Sequence, residues 1–493
     1  MKTPVRPTIG FLLVLATSAA ASDHWPQFRG PYAAGVSEQA LPSEFGPEKN
    51  VRWSVATPAG HSSPSIWGGH LFLSGWEKDS KKLVLLSFET RTGKTRWKRE
   101  VPATEIEKTH QVGTPAMSTP ASDGERVYVY FGSSGLFAFD FDGKPVWSYP
   151  LPLPKMRYGA GTSPIIAGEL LLLNRDEQQG AFLVALDRKT GKEVWKIENS
   201  AGQGGGGGES YATPVVWKGH VVLHRSGEVV GHSLQDGQRV WWVKLSCSGT
   251  STPAASENAM FVAGWSLAGD PEQLPPLPSF AELLAENDKD GDGAVSHAEF
   301  PADLPVAARP ELDPVSSGAL MLKRFIASVD PTKDDSKITA EDWAKIGTMA
   351  KSFMQEHGII AIAPGGKGDV TATHVRWKEK KSVPEVPSPV VVSDRVYMVR
   401  NGGVLTAMKA DSGEVVYRTR IGAPGPYYAS LIAANGNIVA ASGEGKVTVV
   451  RPGDSLEVLT QADFGEPIFA TPAPASGSLF VRTSGHLYAI GGK

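Results

Sequence analysis

The stretch Leu183 to Trp195, LVALDRKTGKEVW, decides the fold. An apolar strand runs into a turn carrying Gly191, and a second strand leaves it towards a large aromatic. That is the pattern of a β-hairpin whose turn needs a residue tolerant of positive φ. The same pattern recurs as LLSFETRTGKTRW ending at Trp97, LFAFDFDGKPVW at Trp147, VVGHSLQDGQRVW at Trp241 and LTAMKADSGEVVY at Tyr417. Each aromatic is expected on an outer strand, where a flat side chain packs against the neighbouring unit.

Outward from each hairpin the repeat lengthens. Upstream lies a strand such as RVYVYFG or ELLLLN, and ahead of it a hydroxyl residue followed by proline. These pairs are Ser63-Pro64, Thr119-Pro120, Ser163-Pro164, Thr213-Pro214, Thr252-Pro253, Ser388-Pro389 and Thr471-Pro472, with Ser430-Leu431 standing in once. Eight units at about 40–55 residues each predict an eight-bladed β-propeller, an all-β fold. The last unit stops at Tyr488-Ala489-Ile490 without an outer strand, whereas NVRWSV at residues 50–55 is an outer strand without a blade. The two are expected to pair and close the ring, with Trp53 in the aromatic position and no exposed sheet edge left.

The unit opened by Thr252-Pro253 is too long, and its excess is helical in pattern. The expected organisation is a leader over 1–21, propeller over 22–269, an insertion over 270–357 and propeller again over 358–493. The leader MKTPVRPTIGFLLVLATSAAA carries Lys2 and Arg6, a short apolar run and small residues before Ala21, as in a cleaved secretory signal peptide. Its apolar run is shorter than the ~20 residues a bilayer core requires. A periplasmic or secreted protein without stable membrane insertion is therefore expected.

Cys247 is the single cysteine, which excludes an intramolecular disulfide and a cysteine-based zinc site. The net charge is −3, but residues 271–357 carry 16 acidic and 8 basic side chains, so the remainder is net positive by 5. Neither part resembles a nucleic-acid binder. A monomer is expected.

The insertion contains DKDGDGAVSHAE, which fits the twelve-residue EF-hand calcium loop at each ligand position. Asp288, Asp290 and Asp292 supply oxygens at positions 1, 3 and 5, and Gly293 permits the sharp turn. Ala294 offers its carbonyl, Ser296 acts through water, and Glu299 gives a bidentate carboxylate. Ser279 and Glu282 form a capping-box pair ahead of the loop. A weaker copy, DPTKDDSKITAED, lacks the central glycine and correct ligand spacing, and is expected to be a structural partner that pairs through Ile338 with Val295, with a second calcium site as the alternative.

His61, His110, Arg157, Tyr158, Glu209, Tyr211, Tyr427 and Tyr428 lie at or just before the start of a unit, so they are candidates for a ligand site at the channel mouth. Ordinary loop residues would fit the same positions, because a pocket needs convergence that sequence does not show. The run GQGGGGGE at 202–209 reads as a flexible connection.

The opening WPQFRGP at Trp25–Pro31, the eight units and their DxxTGKxxW-like turns resemble the quinoprotein-like propeller repeat family. That family includes pyrroloquinoline quinone (PQQ) alcohol dehydrogenases and the propeller subunit of the outer-membrane β-barrel assembly machinery, so the resemblance implies a scaffold more than an activity. In the dehydrogenase branch it also implies adjacent cysteines beside the quinone and a calcium held in the propeller. This chain lacks the cysteine pair. The expectation is a noncatalytic, calcium-binding scaffold for a protein or extracellular polymer, with a PQQ- and calcium-dependent dehydrogenase of alcohols or sugars as the alternative.

Overall fold

A computed structural model describes residues 23–491 apart from 179, 199–207, 246, 248, 267–276, 297 and 302–336. The expected leader, most of the glycine run and most of the weaker loop copy lie outside these described residues. Eight antiparallel sheets, one per repeat, form the propeller. Blade 1 is typical: Ser65–Trp67, His70–Glu77, Lys82–Glu89 and Thr95–Val101 run from the innermost strand outwards. In blade 8 the strand Val51–Ala56 pairs with His486–Ile490, so the N-terminal strand closes the ring as the sequence predicts.

The hydroxyl-proline pairs acquire a physical reason. The backbone N–H of Ser63 donates to Thr119 Oγ1 at 2.9 Å, Thr119 to Ser163 at 2.9 Å, Ser163 to Thr213 at 3.2 Å and Thr213 to Thr252 at 3.0 Å. Thr252 donates to Ser388, Ser388 to Ser430, Ser430 to Thr471, and Thr471 back to Ser63 Oγ at 3.0 Å. Eight blades are thus joined in one closed circle of side-chain hydrogen bonds. Ser430 belongs to it because the circle uses the hydroxyl. The following proline only opens the inner strand, so Leu431 is tolerated there.

The aromatic positions are explained by the turns. Trp147 lies under Gly191 of the next blade, where a Cβ would meet the indole at 2.5 Å, and its Nε1 donates to Arg188 O at 3.0 Å. Trp53, Trp97, Trp195 and Trp377 dock likewise beneath Gly93, Gly143, Gly237 and Gly413, each donating to a carbonyl of the adjoining turn. These glycines have φ near +70 to +79°, so they serve both the turn and the close approach. Trp241 departs from this scheme. The corresponding turn of blade 5 is replaced by a segment whose residues Gly368–Asp369 pair in parallel with Trp241–Trp242, and Trp241 packs on Gly231 of its own blade instead.

The core lies between blades: Phe72 and Leu85 of blade 1 pack with Val127, Val129 and Phe139 of blade 2, and this arrangement repeats around the ring. In blade 5 the second strand ends at Gly264 and the third begins at Gly358, its register partner. Between them the described residues include helix α1 (Phe280–Asn287) and helix α2 (Ala340–Glu356). The Ser279–Glu282 capping box forms, and Val295 pairs with Ile338. Leu283, Phe300 and Trp343 give this segment its own small core.

The segment WPQFRGP runs across the inner strands. His24–Trp25 pairs with blade 1, Pro26 O accepts from Ser122 N of blade 2 at 2.7 Å, and Gln27 Oε1 accepts from Ile166 N of blade 3 at 2.9 Å. Further on, Val36–Ser37 pairs in parallel with blade 7, and Ser37 Oγ donates to Pro474 O of blade 8 at 3.3 Å.

Candidate functional site

Two residues before each circle hydroxyl stands a half-buried residue: His61, Met117, Gly161, Tyr211, Thr250, Val386, Tyr428 and Phe469. They form a collar at the end of the ring where the inner strands begin. One arc is aromatic. His61 and Tyr428 both stack on Phe469, at 4.3 and 5.0 Å between ring centroids. Burial, helped by the Arg482 guanidinium, pushes His61 down to about 3, so its ring is neutral at physiological pH.

A second cluster brings together loops of blades 2 to 4. Tyr158 meets His110 at 5.1 Å and Tyr211 at 5.7 Å, both edge to face. Glu209 accepts from the Tyr211 hydroxyl, from Arg157 N at 3.2 Å and from Gln178 Nε2 at 2.7 Å. The structure therefore divides seven of the eight candidates between two groups. Tyr427 belongs to neither: it is 1% exposed and donates its hydroxyl to Ala423 O at 2.7 Å, because adjacent extended residues point to opposite sides and Tyr428 takes the collar side. Phe469 and Met117 were not among the sequence candidates. Counting back two residues from every hydroxyl would have found both.

Beneath the second cluster lie buried charges. Arg175 pairs with Glu177 at 2.5 Å, and Arg225 with Asp176 at 3.0 Å. Lys155 N donates to Glu177 at 2.6 Å and Ser210 Oγ to Asp176 at 2.7 Å, so these carboxylates hold the loops that lead into the blades. Glu107 is different. One oxygen accepts from Ala160 N at 3.0 Å, the other has no partner among the described residues, and burial pushes the carboxyl up to about 7.

The adjacent cysteines that the resemblance implies beside a quinone are not supplied here: Cys247 is single and buried, with Sγ 3.2 Å from His224 Nε2. Among the described residues one group of carboxylates converges as a metal site requires, and it lies in the inserted segment. Oxygens of Asp288, Asp290 and Asp292 all fall within 4.8 Å of one another. Glu299 accepts from Ser296 Oγ at 2.6 Å, Ser296 N at 2.9 Å and Lys289 N at 2.9 Å; the Ser296 hydroxyl leads these bonds in holding its carboxyl down at about 2. Lys337 Nζ sits against Asp292 and lies 3.8 Å from Asp290.

Together these features define a closed eight-bladed propeller built from quinoprotein-like repeats. More particularly, the chain belongs to the family described as outer membrane protein assembly factor BamB, whose model matches residues 46–160, 80–264 and 328–490. No curated protein matches the sequence. Among solved structures, BamB from Moraxella catarrhalis is similar over 90% of this chain and 98% of its own, at TM-score 0.51 and 10% identity. The quinohemoprotein alcohol dehydrogenase from Comamonas testosteroni is similar over 96% and 82%, at TM-score 0.55 and 13% identity. A europium-containing methanol dehydrogenase is similar over 95% and 98%, at TM-score 0.54 and 10% identity. At these identities the likeness establishes the fold alone. No described helix is long and apolar enough to cross a membrane.

Proposed function

We propose that this chain is an exported, calcium-binding propeller that acts as a noncatalytic scaffold for a protein or an extracellular polymer. The observation that carries the calcium reading is the convergence of Asp288, Asp290 and Asp292 in a loop of EF-hand pattern. Calcium takes six to eight oxygens at about 2.3–2.6 Å. Asp288, Asp290 and Asp292, the Ala294 carbonyl, a water on Ser296 and both Glu299 oxygens make a set of that size. The ion would displace Lys337 Nζ from Asp292 and stabilise the contact between Val295 and Ile338. Bound there, calcium supplies structure and no chemistry at the collar.

The scaffold reading is supported by the family's description as an assembly factor and by the collar's composition. Its rings stack on one another, and the carboxylates of Glu177, Asp176 and Glu209 are engaged in holding loops. The dehydrogenase alternative is opposed by the absent cysteine pair. A spectroscopic titration of the purified chain with PQQ in excess calcium, followed by dye reduction with alcohols and sugars, separates the two. The scaffold reading expects neither saturable binding nor reduction; saturable binding with substrate-dependent reduction would overturn it.

A further inference from the structure

Arg29 stands inside the ring in an unusual position. It is 0% exposed, and the chain passes through it from blades 1 to 3 on one side towards blades 7 and 8 on the other. Its Nη2 donates to Pro389 O of blade 6, next to Ser388 of the hydroxyl circle, at 2.5 Å. Its Nε and Nη1 have no partner among the described residues, and no described carboxylate pairs with it. Burial alone pulls the guanidinium down to about 9.

The backbone is strained to put it there. Arg29 has φ +58°, in the left-handed region that non-glycine residues avoid, and Gly35 N donates to Arg29 O at 2.8 Å to close the turn back over it. A Cβ on Gly35 would lie 2.7 Å from Nη2. An uncompensated buried charge is strongly unfavourable, whereas one balanced by a counter-charge and hydrogen bonds is tolerated. A guanidinium with two free nitrogens needs acceptors, and a small anion supplies one together with a counter-charge.

We propose that the propeller axis holds one small monovalent anion, chloride in size and charge, bound against the Arg29 guanidinium through Nη1. A dianion would leave a net charge inside the ring, which argues for a single negative charge. The anion ties the N-terminal segment to the inner strands and is independent of the calcium reading.

The test uses the full chain. Its melting temperature is measured in chloride and in gluconate at equal ionic strength, for the wild type and for Arg29→Met, and wild-type crystals are soaked in bromide. A saturable rise in melting temperature with chloride, absent in Arg29→Met, is expected. An anomalous bromide peak against Nη1 is expected too, and it decides the matter if the variant does not fold. Chloride-independent melting of the wild type, a chloride effect retained by Arg29→Met, or bromide-free density holding only water at Arg29 would overturn the proposal.

Discussion

Gly191 has two reasons to be glycine, and they can be separated by substitution. Its φ is +70° and the Trp147 indole lies where a side chain would begin. Gly191→Ala should therefore destabilise by about 1–3 kcal/mol, read as a lower denaturant midpoint with unchanged slope. Gly168, also at φ +60° but with open space around it, should suffer less on the same change. A circle residue behaves differently. Thr213→Val keeps the shape, removes the hydroxyl and leaves Ser163 N unsatisfied, at a cost of about 1–3 kcal/mol. Glu107 carries a pH dependence. Its folded value, about 7, lies above that of an unfolded glutamate, so its contribution to stability is complete below about 4.3 and is lost as pH rises through 7. Glu107→Gln should flatten that part of the stability–pH curve, measured by chemical denaturation between pH 5 and 8; an unchanged curve would contradict the assignment. At this scale the sequence was only partly legible. Asp288, Asp290 and Asp292 could be read because ligand spacing within one loop is local. The collar could not, because its members come from eight different repeat units and their convergence depends on ring closure. Tyr427 and Tyr428 show the limit, since one residue of register separates core from surface.

At the scale of elements, repeat, hairpin and closure were all visible because each is written in a short stretch: turn glycine, aromatic, hydroxyl and proline. The function of the hydroxyl was not, since its partner lies one blade away. Nor was the path of WPQFRGP, whose bonds reach residues 139 and 360 positions distant. The junction of the inserted segment yields a prediction. Gly264 and Gly358 are register partners, and Ser266 N donates to His357 Nδ1 at 3.0 Å, so the two ends of the segment lie side by side. Replacing residues 267–356 by a short glycine-containing turn should leave a cooperatively folding propeller, read by circular dichroism and thermal melting. Loss of the cooperative transition would mean that blade 5 depends on the segment.

At the scale of the whole molecule, closure is achieved three ways: a strand borrowed from the N-terminus, a circle of eight hydroxyls and a segment laid across the inner strands. A ring so constrained is a rigid platform for loops, the arrangement in which binding surfaces are commonly placed. The inserted segment is the one described part with converging, exposed carboxylates, and calcium binding there is the central claim about what the molecule does. It is tested most directly by calorimetric titration of calcium into the purified chain and into Glu299→Gln. The account predicts a saturable site in the wild type that is largely lost in the variant, while both retain the same propeller melting transition. Absence of calcium heat in the wild type, or an unaltered titration in Glu299→Gln, would contradict it.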